Sequence, residues 1–285
     1  MRVGDGILKC VCFIGWTDPT KDLNERETIE GTGWFTAVTE SHWLIVTARH
    51  VVETAVPQDR KTTVFLNQKD GLFTLDFDHD DWEYHEDTSV DIAVLRVPFD
   101  VGDDGDSRDL DHHALDPENF ASDRTLADPY HPIGIGNPLY FPGLFSHHPG
   151  KNRALPIVRE GTIAAMNIEP VTIGAGESSM EIDVYLAEVR SIGGLSGSPV
   201  LAYFSRESLN PEAPNDRALW PDWTSDVVFG VVHGHFDLVV PQTATNEFER
   251  LNTGICMVVP IKYVVEVLNQ KRVLEVTRRL EESLE

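Results

Sequence analysis

Short apolar segments rich in β-branched and aromatic residues recur along this chain of 285 residues, and polar turns separate them. Such segments are typical of buried strands, and no long amphipathic helix stands between them. The pattern therefore indicates an all-β barrel or sandwich. The predicted strands span residues 6–14, 31–38, 43–47, 62–66, 71–77 and 91–97, and then 158–166, 181–188, 199–204, 227–233 and 254–259.

Two changes in composition divide the chain. Residues 100–128 are rich in Asp, Gly and His, which predicts an acidic linker between two strand-rich parts. After Pro260, apolar residues at helical spacing predict a C-terminal helix that continues past Leu274 and packs on the preceding domain. We therefore expect a β domain over residues 1–99, the linker over 100–128, a second β domain over 129–260 and the helix over 261–285.

The charge and the apolar runs exclude several classes of partner. A formal net charge of −24 repels phosphate groups, so we expect no binding to nucleic acid or to anionic membranes. No apolar run reaches the ~20 residues that span a bilayer, and no secretory leader precedes the first strand. Three cysteines, two of them Cys10 and Cys12, make no disulfide framework. These features predict a cytoplasmic protein.

The sequence GGLSGSPV, at residues 193–200, presents the hydroxyl of Ser196 within a glycine-rich turn. Glycines allow backbone conformations that aim successive N–H groups at one point, where an oxyanion could form. A hydroxyl beside such a point is a candidate nucleophile if a base lies within hydrogen-bond reach. The upstream sequence supplies a candidate base, His50, at the end of a predicted strand, and a candidate acid, Asp91, at the start of another.

The order His50, Asp91, Ser196, with separations of 41 and 105 residues, resembles that of the chymotrypsin/trypsin-like serine peptidases. The resemblance covers most of residues 7–270. The segment GTGWF at 31–35 resembles the family's strand before the catalytic histidine. The start of the second barrel in the bacterial heat-shock-type members is similar to GIGNP at 134–138 and VREGTI at 158–163, and the strands that close that barrel are similar to GVVH at 230–233 and GICMVVP at 254–260.

The resemblance implies two antiparallel six-stranded β-barrels, chymotrypsin-like, with the active site in the cleft between them. His50 and Asp91 would lie in the first barrel and Ser196 in the second. The implied activity is that of a serine endopeptidase that hydrolyses protein or peptide substrates through an acyl-enzyme. Ser196 would be the nucleophile, His50 the base and Asp91 its orienting acid, with the N–H groups of Gly194 and Ser196 as the oxyanion hole. The family requires no metal or organic cofactor.

The resemblance also suggests where specificity and regulation reside. Arg190, Ser191 and His233 correspond to the primary specificity pocket, and the bacterial glutamyl endopeptidases have a histidine and a small hydroxyl residue at similar places. Arg190 and His233 facing the pocket would favour an acidic residue before the cut. Arg190 could instead turn outward toward surface carboxylates. Leu195 stands where the digestive members carry an aspartate that pairs with a new N-terminus, so regulation falls to loop ordering or a regulatory protein partner.

Each of these residues has an ordinary structural interpretation when it is taken alone. A histidine at a strand end, an acid before a buried strand and a turn hydroxyl are all common. The alternative function is therefore a catalytically silent, peptidase-like module that binds a partner through its cleft or its C-terminal helix.

Overall fold

The computed structural model describes residues 4–18, 27–38, 42–97, 110–122, 126, 133–166, 169–174, 179–190, 193–203, 227–241 and 248–275. The predictions for Ser191, for most of the acidic linker and for the helix beyond residue 275 lie outside these residues. No helix in the described part of the chain has the length and apolar character needed to cross a membrane.

The N-terminal half is one antiparallel sheet of seven strands in the order β5-β4-β1-β2-β3-β7-β6. Within the described residues β5 and β6 are not paired, so this sheet is a half-barrel. Its core contains Phe35, Ile45, Val64 and Trp82, all buried. The strands are β1 (Val11–Thr17), β2 (Glu27–Ala37), β3 (Trp43–Thr47), β4 (Thr62–Gln68), β5 (Gly71–Phe77), β6 (Trp82–Tyr84) and β7 (Ala93–Arg96).

The C-terminal half is a closed barrel of six antiparallel strands in the order β12-β15-β14-β13-β8-β9. The predicted all-β class, with a six-stranded second barrel and a C-terminal helix, is confirmed, and the N-terminal half is a half-barrel of seven strands where the resemblance implied a barrel of six. The strands are β8 (Pro138–Gly143), β9 (Ile157–Ala165), β12 (Tyr185–Val189), β13 (Pro199–Ala202), β14 (Val227–Pro241) and β15 (Phe248–Pro260), with β10 (Val171–Ile173) and β11 (Met180–Ile182) in a separate ribbon.

The C-terminal helix, α1 (Ile261–Leu268), begins directly after Pro260 and buries Ile261, Val264 and Val267. The prediction that one helix continues past Leu274 is wrong, because α1 ends at Leu268 and a separate helical turn follows at 271–275. The Asn269 side chain donates a hydrogen bond to the Val265 carbonyl, which satisfies a backbone group at the helix end.

The first predicted strand also begins later than expected. Residues Asp5–Cys10 form a short 3-10 helix, and β1 starts only at Val11. The Ile7 N–H bonds to the Gly4 carbonyl, and the Cys10 thiol bonds to the Ile7 carbonyl, so local turns replace a strand ladder there.

Candidate active site

Strand pairing brings His50 and Asp91 together. Thr47, at the end of β3, pairs with Ala93, at the start of β7, so the residues just beyond these two ends are neighbours. Asp91 lies two residues before Ala93, and His50 lies three residues after Thr47, in a helical turn. Val51 and Val52, both buried, follow His50 and fix that turn on the core.

Asp91 accepts two hydrogen bonds from His50. Its Oδ1 atom accepts from the His50 backbone N–H at 2.8 Å, and its Oδ2 atom from the His50 Nδ1 at 2.7 Å. Burial would raise the pKa of Asp91, but the hydrogen bonds from His233 and His50 outweigh it and hold that pKa well below its usual value. The carboxylate is therefore ionised and accepts only, so the proton of neutral His50 resides on Nδ1 and leaves Nε2 as a base.

A second histidine shares the same carboxylate oxygen. The Nδ1 atom of His233, on β14 of the barrel, lies 2.5 Å from Asp91 Oδ2. The rings of His50 and His233 meet edge to face, with centroids 5.4 Å apart. Sequence reasoning placed His233 in the specificity pocket and missed this contact. A substrate contact for His233 stays a prediction.

Ser196 lies in the tight turn before β13. Its hydroxyl donates a hydrogen bond to the His233 carbonyl at 3.2 Å, and within the described residues it makes none to His50. Gly197 has φ of +83°, and an added Cβ would lie 2.2 Å from the Thr32 carbonyl oxygen and from Thr47 Oγ1. The turn therefore requires glycine at position 197 and packs directly on the strand end that leads to His50.

Thr32, on β2, joins this turn to the N-terminal half. Its backbone N–H donates to the Ser196 carbonyl at 2.9 Å, and its hydroxyl donates to the Gly194 carbonyl at 2.8 Å. The same hydroxyl accepts from the Leu144 N–H at 2.9 Å. Sequence reasoning also missed Thr32. This residue is part of the GTGWF segment, but nothing in the sequence indicates the hydrogen bonds that it makes.

The oxyanion-hole candidates are oriented by this network. The carbonyls of Gly194 and Ser196 both point to Thr32, whereas no described residue accepts a hydrogen bond from either N–H group. Gly194 has φ of +102°, in the region that favours glycine. Both N–H groups thus lack an acceptor in the described part of the chain, and an oxyanion hole requires such unpaired donors.

Arg190 lies elsewhere, at the end of β12. It borders an open cleft of about 730 Å³. The described lining of this cleft includes Arg159, Glu188 and Gly254 but not His50, Asp91, Ser196 or His233. Arg190 is exposed, and its carbonyl accepts a hydrogen bond from Arg159 Nη1 at 2.9 Å. The described part of the chain therefore groups His50, Asp91, Ser196 and His233, and leaves Arg190 outside that group.

The same group has the donor set of a metal site. One ligand atom from each of His50, Asp91 and His233 lies within 4.8 Å of the others. Among the described residues no other set of three His, Cys, Asp or Glu side chains meets this condition.

No protein-family model matches the sequence, and no curated protein matches it. Among solved structures, the MamO protease domain from Magnetospirillum magneticum, in its apo form, is 11% identical, with a TM-score of 0.52 over 93% of this chain and 99% of that chain. The Rv3671c protease from M. tuberculosis, in its active form, is 18% identical, with a TM-score of 0.48 over 92% of this chain and 80% of that chain. The likeness to the first of these shows the fold alone: this chain is folded like a protease domain.

Proposed function

We propose that this protein is a serine endopeptidase with Ser196 as nucleophile, His50 as general base and Asp91 as the acid that orients it. The observation that carries the proposal is the double hydrogen bond from His50 to Asp91, beside the Ser196 turn. It fixes the imidazole as the Nδ1–H tautomer, the only neutral form whose Nε2 accepts a proton.

The proposed reaction begins when the Ser196 hydroxyl turns from the His233 carbonyl to Nε2 of His50. Oγ attacks the peptide carbonyl while His50 takes its proton, and the imidazolium then protonates the departing amine. A water molecule repeats the sequence to release the acyl group. Asp91 stabilises the imidazolium, and the free N–H groups of Gly194 and Ser196 stabilise the oxyanion by about 3 kcal/mol each.

The central test is labelling by a fluorophosphonate, which reacts only with an activated serine. We expect stoichiometric labelling of the wild type and none of Ser196→Ala. Ser198→Ala is the matched control, because Ser198 lies two residues away with a fully buried side chain, and it should label normally. An unlabelled wild type would instead favour the silent binding module, and labelling that survives in Ser196→Ala would refute the assignment.

We further propose a preference for an acidic residue before the cut, because Arg190, six residues before Ser196, resembles the base of the family's specificity pocket, although its cleft is lined by none of the grouped site residues. The guanidinium groups of Arg159 and Arg190 pair with no carboxylate among the described residues, although the chain carries a net charge of −24. Burial lowers the pKa of Arg159, and its Nε atom has no hydrogen-bond partner among the described residues. Glu160 and Glu188 line the same cleft, and their negative charges repel an acidic substrate side chain. The preference therefore depends on a direct hydrogen bond between that side chain and a guanidinium group.

This preference is tested with peptides that carry Glu or Gln before the cut. We expect the ratio of their kcat/KM values to fall about tenfold in Arg190→Gln, which corresponds to one lost charge-assisted hydrogen bond. Lys151→Gln removes one exposed positive charge elsewhere and should leave the ratio unchanged. Equal cleavage of both peptides by the wild type would refute the acidic preference without affecting the triad.

Regulation is proposed to involve loop ordering or a protein partner. Leu195 is buried in the barrel core, where it cannot form an ion pair with a newly cut N-terminus. Activation by N-terminal cleavage therefore has no acceptor at this position.

A further inference from the structure

We propose that His50, Asp91 and His233 form a binding site for Zn²⁺, and that zinc bound there inhibits the peptidase reversibly. Binding is independent of the proposed function, whereas inhibition rests on it. The proposed triad needs only one histidine, His50, at the Asp91 carboxylate, so it does not explain the second one, His233.

The donor set fits zinc. Two imidazole nitrogens and one carboxylate oxygen, with water completing the coordination, are a common ligand set for this ion. The charge of one carboxylate partly neutralises the cation, and the strongly negative protein attracts it. Among the described residues the three thiols are buried, and burial raises the pKa of Cys12 and Cys256, so they do not compete as thiolates.

The geometry needs a small adjustment. Each Nδ1 atom now lies 2.5–2.7 Å from Asp91 Oδ2. Tetrahedral ligands about 2.1 Å from zinc are about 3.4 Å apart, so the two rings must withdraw by less than 1 Å and turn until each Nδ1 lone pair points at the ion instead of at Oδ2. The His50 side chain is 36% exposed, which leaves it room to move, whereas Asp91 is held on the core side.

Zinc at this position would remove the catalytic base. Both Nδ1 atoms now carry a proton, because Asp91 only accepts. When zinc takes the Nδ1 lone pair of His50, the ring proton moves through solvent to Nε2, and no proton is gained or lost overall. Nε2 is then a donor and cannot accept the proton of Ser196.

Binding is measured first in the full-length Ser196→Ala protein, with Co²⁺ as a spectroscopic probe and Zn²⁺ by calorimetry. We expect one ion per chain, a visible absorption spectrum typical of Co²⁺ with few ligands, and displacement of Co²⁺ by Zn²⁺. Adding His233→Asn keeps an N–H donor for Asp91 but removes a metal ligand, and should weaken zinc binding at least ~10-fold. His50→Asn should do the same, and thermal melting reports whether each variant is folded.

Surface histidines provide the control. His147 and His148 are adjacent and exposed, and their replacement by Asn should leave zinc affinity unchanged. In the wild type, zinc should slow fluorophosphonate labelling, and a chelator should restore it. In the His233→Asn single variant, zinc should slow labelling much less, when the labelling rate with zinc is compared with the rate of the same variant without metal.

Three results would overturn the proposal. The first is that Ser196→Ala binds no zinc, and the second is that His233→Asn and His50→Asn, both folded, bind zinc as tightly as their parent. The third is that zinc binds to the wild type without slowing its labelling by the fluorophosphonate. Failure of the peptidase function gives a different result. A wild type that never labels, even in chelator, rejects the triad proposal, while the Co²⁺ spectra still decide whether the metal site exists.

Discussion

Thr32 offers the sharpest test of how the nucleophile turn is held. Thr32→Val keeps the shape of the side chain but removes the hydroxyl that donates to the Gly194 carbonyl and accepts from the Leu144 N–H. One hydrogen bond is worth about 1 kcal/mol, and an unsatisfied buried N–H costs about 1–3 kcal/mol more. We therefore expect the free energy of unfolding to fall by about 2–4 kcal/mol.

The substitution should also slow labelling of Ser196. The Gly194 carbonyl loses its partner, so the backbone that carries the proposed oxyanion donors, the N–H groups of Gly194 and Ser196, is less firmly held. Loss of one oriented donor in such a site costs about 10²–10³ in rate, so we expect at least a ~10-fold slower reaction with fluorophosphonate. Urea unfolding and labelling kinetics measure the two effects separately.

Thr36→Val is the matched control on the same strand. Thr36 is equally buried, and its hydroxyl donates to the Leu115 carbonyl, which also accepts from the Ala37 N–H. The control should lose only about 1 kcal/mol and label at the wild-type rate. The reasoning is refuted if Thr32→Val labels as fast as Thr36→Val, or is no less stable than it.

Three further predictions concern turn geometry and buried polar groups. Gly197→Ala should abolish labelling, because its Cβ would meet the Thr32 carbonyl at 2.2 Å; normal labelling kinetics would contradict this. Ser198→Ala should raise stability by about 1 kcal/mol in urea unfolding, because the buried Ser198 hydroxyl has no partner among the described residues. Burial lowers the pKa of His112 from 6.5 to about 4. As the pH falls, this histidine is therefore protonated in the unfolded chain before it is protonated in the folded one. His112 should account for about 3 kcal/mol of the stability lost in urea unfolding as the pH falls from 6.5 to 4, and the loss in His112→Gln should be smaller by that amount.

The sequence was sufficient for features that depend on local pattern. Short apolar segments predicted most strands. His50 and Asp91, each predicted next to a strand end, are neighbours because β3 and β7 are adjacent. Local pattern failed where short-range hydrogen bonds decided the backbone. The Asn269 side chain ends α1, and the turn at Ile7 replaces the start of the first strand.

Contacts between the two halves could not be predicted in the same way. The His233 contact with Asp91 and the Thr32 contact with Gly194 each join strands that are distant in sequence. Neither residue type signals the contact, because threonine on a strand and histidine on a strand are both ordinary. Only the packing of the barrel on the half-barrel determines which side chains meet.

The architecture makes one part of the candidate site rigid and another adjustable. His50 and Asp91 both lie just beyond the paired ends of β3 and β7 in the N-terminal half, and that pairing fixes their separation. Ser196 and His233 belong to the barrel, so their distance from His50 depends on how the halves pack. A small shift between the halves would therefore change the reach from Ser196 to His50 while leaving the His50–Asp91 pair intact. The His233 bond to Asp91 crosses this boundary, as do the Thr32 bonds to Gly194, Ser196 and Leu144, and these contacts oppose such a shift.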